Sequence, residues 1–137
     1  MTFEISTDLA LAQLQATIDF ADDATGNSVV KIYAEALPDE TDTPLATITL
    51  AKPCGVIAGG SFDLIADDPA GSLVTSTGVP HGARWEKSDG ALVARGSVTD
   101  ATNGGDFTVS GGDTPPGETS PQLYAGGLVI LGEVTLT

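Results

Sequence analysis

The chain is poor in the residues from which most catalytic and covalent devices are built. Of its 137 residues, one is Cys and one is His. A single Cys54 cannot form an internal disulfide, so the fold does not depend on oxidation, which fits assembly in a reducing cytosol and excludes a disulfide-stapled scaffold. Bases are scarce too: five Lys and Arg stand against nineteen Asp and Glu, a net charge of −14. A surface of that sign repels phosphate backbones and anionic lipid, which disfavours direct nucleic-acid binding and membrane association. Residues 1–20 contain no Lys or Arg, unlike the basic start of a secretory signal. No apolar run approaches the ~20 residues that span a bilayer. The plainest reading of the acids is a solvated exterior around a single domain over 1–137.

What the chain does have is a succession of short β-capable runs separated by Gly, Pro and Asp. One helix comes first. Thr7 and Asp8 are good N-caps, and Leu11, Leu14, Ile18 and Ala21 recur at spacings of three and four, which predicts an amphipathic helix over 8–21 after an arm over 1–7. From 29 to 137 the pattern is strands and loops. Residues 29–34 are rich in β-branched and aromatic residues. Residues 45–51 alternate apolar residues with Thr, and Lys52-Pro53 is expected to stop that strand. Further strands are expected at 61–66 and 72–77. Residues 82–87 and 91–99 form the clearest element, a hairpin about Ser88-Asp-Gly90. If Trp85 faces inward, Arg84 and Glu86 face out, with room for weak local ion pairs. Strands at 107–110 and 128–136 complete the set, the last expected to be buried on both faces.

The expected architecture is mainly β: a single antiparallel β-sandwich of about eight strands, with one short helix at an edge or end. Its core draws on Ile32, Ile48, Leu50, Phe62, Leu64, Leu73, Trp85, Val93, Val98, Phe107, Val109, Val129, Leu131 and Val134. Residues 36–44, with two prolines and three acids, form an exposed loop. Residues 111–121, rich in Gly and Pro, form a second loop expected to be mobile or ordered by a partner.

Few residues suggest chemistry. Cys54 and His81 are the only thiol and imidazole, but nothing adjacent marks either as activated, so no catalytic pair is assigned. Asp22-Asp23, Asp67-Asp68 and Asp39-Glu40 with Asp42 lack the spacing of a calcium loop, and no metal site is assigned. The glycines at 55–60 and 104–105 lack the Gly-Lys-Ser/Thr ending of a phosphate loop. Trp85, Phe62, Phe107, Tyr33 and Tyr124 could stack on sugars only if several faced outward, whereas strand aromatics are usually core. No cofactor is implied.

The order of motifs carries a resemblance. A short N-terminal helix is followed by Lys31-Ile-Tyr33, a Pro-containing loop, Leu45-Ala-Thr-Ile-Thr-Leu50 and Lys52-Pro53. Then come Ala83-Arg-Trp85, a Ser-Asp-Gly hairpin, Gly96-Ser-Val98, Asp106-Phe-Thr-Val109 and Ala125-Gly-Gly127. This order, covering nearly the whole chain, resembles small structural proteins encoded in the head and tail modules of tailed phages. Among these the chain is most similar to capsid cement, or decoration, proteins. The resemblance implies a jelly-roll-like sandwich and a non-enzymatic role on the virion surface after synthesis in the host cytoplasm. The implied partner is the major capsid protein, met by a dimer or trimer that bridges capsomers. Expected contacts are Phe3 and Ile5 of the arm, Leu37 and Pro38 of the first loop, and Pro115 and Pro116 of the second. A ring-forming tail or head-to-tail connector component is the alternative, and a carbohydrate or host-surface binding module is the alternative of another class.

Overall fold

The fold is a computed structural model that describes residues 6–58 and 61–134. Phe3 and Ile5 lie outside the described residues, as does the side chain of Phe62. Helix α1 spans Thr7–Ala21, one residue earlier than predicted, because Ser6 is the N-cap: its Oγ accepts the Leu9 N–H at 3.1 Å. Ile18 and Ala21 are buried and join the core.

Eight strands follow: β1 Val29–Tyr33, β2 Ala46–Ala58, β3 Ser61–Ala66, β4 Ser72–Leu73, β5 Gly82–Glu86, β6 Leu92–Thr99, β7 Phe107–Ser110 and β8 Leu128–Val134. They form one sheet in the order β3-β2-β1-β5-β6-β7-β8-β4. Every neighbouring pair is antiparallel except β6 and β7, which run parallel with Val98 opposite Phe107. The expectation of a mainly β protein with one short helix holds. The all-antiparallel expectation fails at this pair, where the 100–106 connection folds back on itself. There Asp106 Oδ2 accepts the Ser97 N–H, and Thr99 Oγ1 accepts the Gly105 N–H. The strands lie in one curled mixed sheet, a half-barrel, in place of the two stacked sheets of a sandwich.

The curl originates in β2. Contrary to expectation, Lys52-Pro53 does not stop this strand; the register shifts between Leu50 and Gly55, and the strand continues to Ala58. Proline has no ladder donor to lose inside such an irregularity. The Cys54 N–H turns to the helix side and donates to Asp22 Oδ2 at 2.9 Å. The first half of β2 pairs with β1 and the second with β3, while Ala46 bridges Val74 just beyond β4. The two ends of the sheet therefore meet at one corner and enclose a single core.

That core is close to the expected one. Ile32, Ile48, Leu50, Leu64, Trp85, Val98, Phe107, Val109, Val129 and Val134 are buried, and Val93 and Leu131 pack against them. Leu73 is the exception. The strand expected over 72–77 is reduced to two residues, and Leu73 projects outward, opposite Leu128. Strand β8 is not buried on both faces either: Leu128 and Ile130 are exposed and Val129 is buried, because none of the described residues covers its outer side.

Candidate functional site

One face of the sheet carries an unusual row of charges. The register sets Lys31 of β1 opposite Arg84 of β5, and Arg84 opposite Arg95 of β6. Three like charges directly across from one another repel unless counter-charges intervene. Glu86 supplies one: its carboxylate accepts Lys31 Nζ at 3.0 Å and Arg84 Nε at 2.9 Å. The Pro38 carbonyl supplies another acceptor, taking bonds from Arg84 Nη1 at 3.3 Å and Arg95 Nη1 at 3.4 Å. Burial alone would push the Glu86 carboxyl up, but the bonds from Arg84 and Lys31 outweigh it and hold the group below its ordinary range.

Arg84 and Glu86 were expected on the solvent face, yet both are buried. The reason is loop 34–44, which folds over β5 as a lid. A Cβ on Gly82 would collide with the carbonyl oxygens of Glu35 and Ala36 and with the Pro38 ring, so glycine is what allows the lid to close. Pro38 is buried beneath it and Leu37 is 71 % exposed at its tip. The outer end of the lid is held by Asp39 Oδ1, which accepts both the N–H and the hydroxyl of Thr41.

Loop 111–121, expected to be mobile or ordered by a partner, is likewise hydrogen-bonded to its own chain. Ser120 is buried and donates to the Val98 carbonyl at 2.7 Å, and the Asp100 N–H donates to the Thr119 carbonyl at 2.7 Å. Asp100 is the hub of this end. Its carboxylate accepts the hydroxyls of Thr114 and Thr102 and the Asn103 amide, which together hold it at about 2. Pro121 is buried, Pro115 half-buried and Pro116 exposed.

His81 joins the two loops. Its Nδ1 lies 2.8 Å from the Ala34 carbonyl, at the root of the first loop, and its Nε2 lies 2.9 Å from Glu118 Oε2 in the second. Both ring nitrogens face acceptors, so both hydrogen bonds form only when both nitrogens carry protons. The bond to Glu118 accordingly raises the His81 pKa, against the opposing effect of partial burial. The histidine is a clasp between the two loops, one of which exposes Leu37 and the other Pro116. Sequence reasoning named both loops but missed the residue that joins them; the unique His beside Pro80 was the available signal.

Cys54 has different neighbours from His81. Its side chain is buried, with Sγ 4.0 Å from the Ile18 carbonyl, and burial followed by the nearby Asp22 carboxylate pushes the thiol up to about 12. Trp85 is buried, with its indole N–H donating to Ser28 Oγ, while Tyr124 is exposed. A sugar platform would therefore lack the tryptophan. Among the described residues no group of three or more His, Cys, Asp and Glu is placed to hold a metal, and no helix is long and apolar enough to cross a membrane.

Charge is distributed as unevenly as the residues are. All five cations are turned onto the chain's own acceptors. Lys31, Arg84 and Arg95 lie in the row, Lys52 caps the carbonyl of Ala24 at 2.8 Å, and Lys87 pairs with Asp23 and sits 4.4 Å over the Phe20 ring. With nineteen acids against five bases, the surface offered to a partner is predominantly anionic. Scans against family models, curated proteins and solved structures found no match to this chain.

Proposed function

We propose that this chain is a non-enzymatic structural protein of a tailed-phage virion, a capsid cement protein that binds the outer shell and stabilises neighbouring capsomers. The observation that carries the reading is the His81 clasp, which joins loops 34–44 and 111–121 into one preorganised face. A protein repeated over a lattice gains from a rigid contact surface, because each copy then loses little conformational freedom on docking and the contacts multiply with the symmetry. Leu37 and Pro116 make the outward contacts of this face, and Pro38 and Pro115 hold their loops in place. The half-barrel is the stiff platform that a jelly-roll-like sandwich would otherwise supply. The anionic exterior keeps the chain soluble at high copy number before assembly. The partner is the major capsid protein, met by a dimer or trimer.

The test is sedimentation of the purified protein with undecorated, expanded capsids of the encoding phage. Binding that saturates in a lattice-fixed ratio is expected, and it should be lost in the exposed-site double variant Leu37→Asp with Pro116→Asp. Self-assembly into rings, with no capsid binding, would overturn the reading in favour of a tail or head-to-tail connector component.

A further inference from the structure

The 100–106 connection, which sets β6 and β7 parallel, is held together by the Asp100 carboxylate. Asp100 Oδ1 accepts the Thr102 N–H at 3.0 Å, the Thr102 hydroxyl at 2.9 Å and the Asn103 side-chain amide at 2.7 Å. Asp100 Oδ2 accepts the Thr114 hydroxyl at 2.6 Å, and the Asp100 N–H donates to the Thr119 carbonyl. One carboxylate thus ties this turn to loop 111–121. Among its donors, the Asn103 amide is the one that hydrolysis converts into a second carboxylate.

Asn103 is followed by Gly104, and both are exposed. Gly104 has φ +65°, and a Cβ there would meet nothing within 4 Å beyond its chain neighbours, so the peptide between the two residues stands open to water. Among the described residues the Gly104 N–H donates to no acceptor. Its nitrogen is therefore available as a nucleophile, and no Cβ crowds its approach to the Asn103 side chain. Comparable places in the chain are restrained. In Asp89-Gly90 the glycine N–H donates to the Lys87 carbonyl at 2.9 Å. Asn27 donates to the Leu50 carbonyl at 2.8 Å and precedes Ser28, which is fully buried.

We propose that Asn103-Gly104 is a modification site at which the asparagine deamidates through a succinimide, and that the carboxylate so formed loosens the Asp100 hub. The Gly104 nitrogen gives its proton to hydroxide and attacks Asn103 Cγ. A bond forms between that nitrogen and Cγ, the Cγ–Nδ2 bond breaks, and Nδ2 leaves as ammonia with a proton from water. Water then opens the five-membered ring on either side. Cleavage at Cγ leaves aspartate; cleavage at the backbone carbonyl leaves isoaspartate, with the main chain running through the former side chain. One water is consumed and one ammonia released, with no change of oxidation state. Both products lose the amide that Asp100 accepted at 2.7 Å and add a negative charge beside it, so an attraction becomes a repulsion. Isoaspartate also inserts an extra backbone carbon into a turn whose Gly105 N–H is fixed to Thr99 Oγ1 at 2.8 Å. The modification is one-way and does not depend on the virion reading.

The test incubates the purified full chain at mildly alkaline pH, folded and in parallel unfolded in urea, and follows each asparagine by peptide mass spectrometry, with isoaspartate scored by enzymatic methylation. In the folded chain Asn103 should exchange ammonia for water at a rate within about tenfold of that in the unfolded chain, while Asn27 stays intact and residue 89 gains no isoaspartate. Slower conversion of folded Asn103 than that, or modification of residue 27 or 89 ahead of it, would overturn the site. The consequence is read from the Asn103→Asp variant labelled with nitrogen-15. Asn103 is exposed, so the variant should fold, with shifted amides at Thr114 and Thr119 and faster hydrogen exchange at Gly105. Changes confined to residues 102–104 would show that the new charge leaves the hub intact, and would overturn that part of the proposal.

Discussion

Replacing Glu86 by Ala removes the one carboxylate that holds the cation row together. Two cations bond to it, Lys31 at 3.0 Å and Arg84 at 2.9 Å, and both Arg84 and Glu86 are shut off from water by the 34–44 lid. Lys31 is half-exposed and can turn to solvent. Arg84 cannot, and would keep a single bond, to the Pro38 carbonyl. Breaking a buried pair by deleting one partner costs about 3–5 kcal/mol. Against a total stability of about 5–15 kcal/mol for a domain, that is a large fraction, and at about 4 °C per kcal/mol it lowers Tm by roughly 12–20 °C. Equilibrium urea unfolding at neutral pH, followed by Trp85 fluorescence, measures it directly. The double variant Arg84→Met with Glu86→Leu removes both desolvation costs and should recover most of the loss, because an apolar pair of similar volume can replace a buried ion pair. The pH dependence has a definite sign. The folded carboxyl titrates below its ordinary 4.5, so its contribution is complete above that value and disappears as pH falls through the depressed one. A loss under about 1 kcal/mol for Glu86→Ala would refute the reasoning, since that is the scale of solvated surface pairs.

Two further outcomes are expected. The His81 clasp needs the imidazolium, and its folded pKa lies above the ordinary 6.5, so its contribution is complete below that value and is lost as pH rises through the raised one. Because both partners are more than a third exposed, screening limits this to about 0.5–1 kcal/mol. Nuclear magnetic resonance of residues 115–119 between about pH 5.5 and about pH 8.5 should show them loosening with increasing pH, and His81→Leu should abolish that dependence; pH-independent spectra of the native protein would contradict the clasp. Cys54, buried and with its thiol pushed up to about 12, should resist iodoacetamide at about pH 8 in the folded protein and react once urea unfolds it. Rapid labelling under native conditions would show that the thiol is accessible.

Much of the local structure was legible because it is written in short-range chemistry. The hairpin of β5 and β6 follows from Ser88-Asp-Gly90, where Gly90 has φ +93°, a conformation that favours glycine. The helix follows from the spacing of Leu11, Leu14, Ile18 and Ala21, and the burial of Trp85 from its place in a strand. Misreadings fall where a distant segment covers or uncovers a surface. Arg84 and Glu86 looked like solvent-facing neighbours because the lid that buries them begins about fifty residues earlier in the chain. Leu73 looked like core, and Leu128 like the start of a strand buried on both faces, because they are large and apolar, but they face each other on the exposed side of the β4–β8 pair.

The sequence by itself determined the inventory: most of the runs that become strands, the hairpin turn at Ser88-Asp-Gly90, and that acids outnumber bases by nineteen to five. Those properties depend on neighbours two to four residues apart and on composition, both of which can be read from the letters. Only the tertiary structure decided the curl of the sheet, the parallel pairing of β6 with β7, the bonding of all five cations to acceptors of the same chain and the meeting of two loops at His81. Each of these sets groups tens of residues apart at hydrogen-bonding distance, and such pairings follow from the register of strands and the closure of loops, which local patterns leave open.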